Sequence, residues 1–380
     1  MKRLVVFLIL CLGFVMSCDG PLGYRIDPQM FDDYENLFRH KDKTKDQKDT
    51  VTVDISMDSS NVETLRPVYL IGGETSPLLA AIVLRSSGDT AMVDSLVVKV
   101  NSSVLPMNMF STLLLVDSDK TTIIAQSTLV QSETVFKSIG TVGDKPRTIF
   151  VKAETNLIGR DQVGVLDAVG DFQIKDVWAR SGKKNVQVTH EGNKALLLTK
   201  NSSSFQILAN KILSVDLVSA GGGHALASRL TQGVNVVGIV KITTTNSFNT
   251  DQVGDETKIA LNKIRVNLGK NNELKIDSLR IVRVGLGESM TIPYSDNAEF
   301  DISGFGNDGK IAGGSSAYFV VTAKVLSLLG SGGDQITIGL HNLNKDTDVS
   351  NFVWRDTEDS VWKGSLRLPF NKIDGIKITS

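Results

Sequence analysis

Ile149-Phe150-Val151-Lys152-Ala153-Glu154 is the stretch from which the fold is read. β-Branched and aromatic residues suit a pleated, half-buried backbone. Ile149, Val151 and Ala153 fall on one side of such a strand, with Lys152 and Glu154 on the other. The same pattern returns as Phe319-Val320-Val321-Thr322-Ala323, where Phe319, Val321 and Ala323 share one side and Thr322 and Lys324 the other. One strand therefore occurs twice, with an equivalent apolar stripe in each copy.

Working outward, other segments repeat in the same order. Val53-Asp54-Ile55 matches Val215-Asp216-Leu217, and Leu96-Val97-Val98-Lys99-Val100 resembles Lys263-Ile264-Arg265-Val266-Asn267. Val177-Trp178-Ala179-Arg180 matches Val353-Trp354-Arg355-Asp356. The spacing between matched positions widens along the chain, as insertions in a second copy produce. From Val51 onward the hydrophobic period is two, interrupted by turn signals at Gly88-Asp89, Gly143-Asp144, Asn307-Asp308-Gly309 and Gly332-Gly333-Asp334. No segment has a long helical period; Gly221–Gly223 with His224–Leu230 is expected to hold one helical turn. Many Val, Ile, Thr and Ser with only 8 prolines in 380 residues favour a β-rich globular chain over disorder.

The expected fold class is all-β, with two tandem immunoglobulin-like β-sandwiches over residues 51–209 and 210–380. Several segments carry a family resemblance: "LAAIVLRSS" and "VGIVKITTT", "IFVKAE" and "YFVVTAK", and "NFVWRDTEDSVWKGSLRLPF" at Asn351–Phe370. Together they resemble the tandem immunoglobulin-like repeats of large bacterial cell-surface and S-layer-like proteins. That resemblance implies the sandwich fold and a role at the cell surface.

The N-terminus supplies an address. Lys2 and Arg3 precede an apolar run, Leu4–Phe14, that is too short to be a stable membrane span. Val15-Met16-Ser17-Cys18 then resembles a bacterial lipoprotein signal, with an aliphatic residue three before the cysteine and a small one directly before it. The resemblance implies removal of residues 1–17 and acylation of Cys18. Each buried CH₂ of the acyl chains would contribute roughly 0.8 kcal/mol to a membrane anchor. Residues 18–50 read as a tether: Lys41–Asp49 is a solvated charge run. Within it, Asp27-Pro28 is a helix start, with Met30, Phe31, Tyr34, Leu37 and Phe38 at helical spacing. A flexible tether of that length reaches about 30 Å.

Composition excludes several functions. Cys11 and Cys18 are the only cysteines, and Cys11 lies in the signal, so neither a disulfide framework nor a cysteine zinc site is available. The net charge of −1 gives no footprint for nucleic acid. The four histidines, His40, His190, His224 and His341, form no His-Glu-x-x-His motif. His224 with Ser228 and Asp216 is close only in sequence, which is no argument for a triad. Gly304-Phe305-Gly306-Asn307-Asp308-Gly309 has the letters of a dinucleotide loop but a strand pattern after it, so a hairpin turn is expected.

Two weaker candidates remain. Asn344, Asp346 and Asp348 open like a calcium loop, though the sharp-turn glycine and distal glutamate are absent; Asp117 and Asp119 form a similar pair. Trp178 and Trp354 stand at matched positions and are expected to pack alike, whereas Trp362 has no counterpart and is the exposed aromatic candidate for a ligand. No catalytic residue is assigned and the chain is not expected to be an enzyme. The expectation is a lipid-anchored module on the periplasmic or extracellular face of a bacterial envelope, structural or adhesive. The alternative is a glycan- or peptide-binding surface lipoprotein, calcium-dependent or not, with a hydrolase a distant third. Expected partners are the membrane, through the lipid, and an envelope protein or glycan; no cofactor beyond calcium is implied.

Overall fold

The computed structural model describes residues 50–58, 60–129, 131–158, 162–182, 185–190, 202–245, 258–271, 273–305, 309–328, 333–357 and 361–380. The signal, Cys18 and the tether helix lie outside the described residues.

Alternation of apolar and polar residues becomes strand after strand. The first repeat contains β1 (Thr50–Met57), β2 (Val68–Ile71), β3 (Ala80–Ser87), β4 (Ala91–Ser102), β5 (Phe110–Val116) and β6 (Ile123–Thr128). It continues with β7 (Glu133–Val142), β8 (Arg147–Thr155), β9 (Val169–Arg180), β10 (Asn185–His190) and β11 (Phe205–Leu208). These form a six-stranded sheet, β10-β1-β3-β8-β5-β6, and a five-stranded sheet, β2-β11-β9-β4-β7. The second repeat contains β12 (Ile212–Leu217), β13 (Ala220–Gly221), β14 (His224–Ala225), β15 (Gly233–Thr244), β16 (Lys258–Lys270), β17 (Lys275–Arg283) and β18 (Ser289–Pro293). It ends with β19 (Asn297–Asp301), β20 (Ile311–Ala312), β21 (Ser316–Ser327), β22 (Gln335–Leu340), β23 (Phe352–Asp356) and β24 (Ile373–Thr379). Its sheets run β12-β15-β21-β17-β18 and β19-β16-β22-β24, with β20 and β23 also paired to β16. The fold is all-β, two sandwiches in tandem.

The duplication holds for the shared strands: β12-β15-β21-β17-β18 repeats β1-β3-β8-β5-β6, and β19-β16-β22-β24 repeats β7-β4-β9-β11, with β22 and β23 together taking the place of β9 along β16. Ile149 pairs with Ile82 as Phe319 pairs with Val240, so the match that opened the sequence reading is in register. The β4 match is one residue off. Leu96 faces Phe136 as Ile264 faces Phe300, so Leu96 corresponds to Ile264 and not to Lys263. A one-residue slip moves every side chain to the opposite face. The tryptophans are therefore not equivalent. Val177 pairs with Leu96 and Phe352 with Ile264, which puts Trp354 opposite Leu261 where the first repeat has Ala179 opposite Val93. Trp354 is fully buried and Trp178 faces solvent.

Each sandwich encloses a core. Phe110, Phe172 and Phe205 pack together in the first, with ring centroids 5.1–6.0 Å apart. Phe300, Phe319, Phe352 and Trp354 fill the second. Strand β2, Val68-Tyr69-Leu70-Ile71, belongs to both. Its Val68 and Leu70 lie in the first core, while Tyr69 and Ile71 lie in the second. Its parallel partner β11 does the same: Phe205 and Ile207 go to the first core and Leu208 to the second.

Polar contacts close this seam. The Asp356 carboxylate accepts the backbone N–H groups of Ala209 and Asn210 at 2.8 and 2.7 Å. Lys211 Nζ donates to Tyr69 O, and Arg367 Nη1 donates to Val68 O. The Tyr69 ring meets Trp354 edge-on at 5.5 Å, and the Arg367 guanidinium lies 4.2 Å from its centroid. Val51–Ser380 is accordingly one compact unit.

Candidate ligand-binding site

A cleft of about 390 Å³ opens in the second sandwich, at one end of β16, β17 and β21. Arg283 builds its floor. Strand β17 alternates Leu279, Ile281 and Arg283 on its inward side, so the apolar stripe ends in a guanidinium. Arg283 is only 8% exposed. Its guanidinium sits 6.0 Å from the centre of the Phe319 ring, and its Nη2 donates to Lys310 O. Its Nη1 is buried and makes no hydrogen bond. Burial pushes the guanidinium pKa down, and the nearby Glu288 carboxylate works against that shift.

The walls follow from local backbone. Gly285 and Gly287 take φ of +88° and +72°, which turns the chain from β17 into β18. Lys258 starts β16, Lys310 precedes β20, and Ser315–Tyr318 enter β21. The glycine run Gly221–Gly223 forms the β13–β14 hairpin and not the expected helical turn. A Cβ on Gly221 would come within 2.5 Å of the Tyr318 ring, and one on Gly222 within 2.8 Å of Val284. Those glycines let the hairpin lie directly against two lining residues. The lining includes Lys258, Arg283 and Lys310 and no carboxylate. The Ser315 hydroxyl donates to Ala312 O and the Ser316 hydroxyl pairs with that of Thr243, so both are engaged within the wall.

The residues singled out from sequence lie elsewhere. Trp362 is 37% exposed, and the Arg355 guanidinium covers its ring at 5.0 Å. Trp178 is 64% exposed on the five-stranded sheet, with its indole N–H donated to Asp176 at 2.7 Å. It is the more open aromatic surface. The Asn344 carboxamide donates to Leu368 O and Phe370 O and accepts from Leu368 N, which makes it a loop brace. Arg265, ion-paired with Glu299, donates to Thr347 O and Ser350 O and so braces the same loop. Asp117 is paired with Arg147, and Asp119 accepts the Thr121 and Thr122 N–H groups. Among the described residues no three His, Cys, Asp or Glu side chains converge as a metal site. His224 and His341 are exposed, and the His190 side chain lies outside the described residues. The residues around Gly304–Gly309 make turns, with Gly309 at φ +64°; residues 306–308 lie outside the described residues.

Sequence reasoning missed the cleft. Its one available signal was an arginine at the inward position of an apolar alternation, Leu279-Arg280-Ile281-Val282-Arg283. Lys258 and Lys310 join it only through the pairing of β16 with β20.

No protein-family model and no curated protein matches this chain. Among solved structures, one described as BspA_C_mut is 10% identical over 87% of this chain and 97% of its own, with a TM-score of 0.19. The CupB6 tip adhesin from Pseudomonas aeruginosa is 9% identical over 87% of this chain and 97% of its own, at 0.17. MSCRAMM ACE of Enterococcus faecalis is 9% identical over 86% and 92%, at 0.16. Scores of that size carry no argument about what this chain binds.

Proposed function

We propose that this chain is a lipid-anchored, non-catalytic adhesive or structural module of a bacterial envelope. The observation that carries the reading is the seam. Two sandwiches share β2 and β11 between their cores, which suits a body that bears load or presents loops at a fixed geometry. The lipobox resemblance at Val15–Cys18 supports the anchor, and the charge run Lys41–Asp49 supports a spacer between membrane and sandwiches. The test has two arms. Metabolic labelling with a fatty acid should mark the wild-type chain and not Cys18→Ala; equal labelling of both ends the anchor. The lipid-free mature chain, residues 19–380, should be retained by envelope fractions. A turnover activity abolished by replacing any one of His190, His224 or His341 would overturn the non-catalytic reading.

A second reading, a ligand-binding surface lipoprotein, is favoured by the Arg283 cleft. A buried guanidinium and two lysines on one concave surface, beside apolar Val284 and Leu286, suit a polar ligand.

A further inference from the structure

We propose that the outer face of the first sandwich's five-stranded sheet, around Trp178, is where two copies of this chain pair about a two-fold axis. The face is built from β9, β4 and β7. Ser95 on β4 stands between Trp178 and Lys137, and Val97 stands between Asp176 and Val135. Trp178, Val135 and Met92 are exposed there. The ion pairs Arg180–Asp94 and Lys175–Glu133 rim this apolar ground at its two ends. An exposed apolar patch with a polar rim marks a contact surface.

The second repeat is an internal comparison. The register that equates Leu96 with Ile264 places Lys263, Arg265 and Glu299 where the first repeat has Ser95, Val97 and Val135. Those three charges pair with one another, and Arg265 also braces residues 347–350. Val353, the counterpart of Trp178, is buried. The second repeat thus closes this face with its own chain, and the first leaves an apolar centre open.

A second copy fits because the face complements itself. Trp178 and Lys137 flank Ser95 in one row, so a two-fold axis along β4 lays each Trp178 against the partner copy's Lys137. An ammonium over an indole face is attracted to it. The Asp176 carboxylate, 2.7 Å from the indole nitrogen, holds the ring and adds negative charge at the same spot. Among the described residues Lys137 makes no ion pair within its own chain, so its charge is available. Strands of 12, 10 and 12 residues, about 4.8 Å apart with a rise of about 3.3 Å per residue, give a face of roughly 500 Å². A stable complex buries about 800 Å² per partner, so this pairing is weak, with a Kd of about 10–100 μM.

Sedimentation velocity on residues 19–380, from about 5 to about 500 μM, reads the pairing. The mean mass should rise from one chain toward two and no further, and added salt should shift it back. Trp178→Ala and Lys137→Glu, both at exposed positions, should each weaken pairing about tenfold, with circular dichroism unchanged. Lys377→Glu, on β24 of the second sandwich, should leave it unchanged. Residues 19–380 contain no cysteine, so Ser95→Cys gives one thiol per chain. A bis-maleimide spanning about 10 Å, the distance between stacked sheets, should link two chains through it. Ser327→Cys, on the second sandwich, should stay unlinked. The proposal is overturned if the chain is a single copy at every concentration, if assembly runs past two copies, if either Trp178→Ala or Lys137→Glu pairs like the wild type, or if Ser95→Cys links no better than Ser327→Cys.

Discussion

Asp356 has no exposed surface, yet it is a carboxylate, and its Oδ2 accepts two backbone N–H groups from the chain that joins the repeats. Removing it would leave two buried donors without that acceptor. Unpaired buried donors cost about 1–3 kcal/mol each. Asp356→Ala should therefore destabilise the protein by about 2–4 kcal/mol in urea denaturation. Asp356→Asn, which keeps a carbonyl oxygen there, should cost less than half as much. Equal stability of Ala and wild type would remove Asp356 from the seam. In sequence, Asp356 is one polar residue at the end of a strand pattern, and nothing marks it as buried. Its role becomes visible only when β23 lies beside residues 209–210, which are far away in the chain. Trp178 and Trp354 teach the reverse lesson. Each is conspicuous in sequence, but a one-residue register difference, set by where β9 and β23 pair with β4 and β16, sends one to solvent and the other to the core.

Strand β2 was legible as apolar but not as shared. Val-Tyr-Leu-Ile has no alternation, the signature of a strand buried on both faces. Four residues are too few to say which two cores it serves. Longer strands were easier: β8 and β21 declare their inward stripe through Ile149, Val151 and Ala153 and through Phe319, Val321 and Ala323. The β5–β6 turn shows how a polar cluster that resembles a cation loop can be spent on its own backbone. Lys120 sits at φ +64°, and Asp119 accepts the N–H groups of Thr121 and Thr122 and the Thr122 hydroxyl. Those hydrogen bonds favour the ionised form and hold the Asp119 carboxyl down at about 2. A carboxyl depressed by folding stabilises the fold above its unfolded pKa and loses that contribution as pH falls through the folded one. The turn should thus stay intact at pH 4 and loosen as pH approaches about 2. Amide shifts of Thr121 and Thr122, followed by NMR over that range, should titrate together at the lower value. A midpoint near an ordinary aspartate would contradict the capping role.

At the scale of the whole molecule, the duplication was legible because two copies of one pattern reinforce each other. The seam was not, because it is made by β2, β11 and the segments around Asp356 and Arg367, which are distant from one another in sequence. The sandwiches are the repeated part and their junction is unique. That junction is the account's central structural claim: Tyr69, inserted from the first repeat into the second core against Trp354, couples the two. Deleting a large buried aromatic side chain costs about 3–5 kcal/mol, and here the loss falls on the coupling as well as on the core. Differential scanning calorimetry of residues 19–380, wild type beside Tyr69→Ala, tests it most directly. The account predicts one cooperative transition for the wild type, and for Tyr69→Ala a lower melting temperature with the transition split in two. Two separate transitions already in the wild type, with neither moved by Tyr69→Ala, would contradict it.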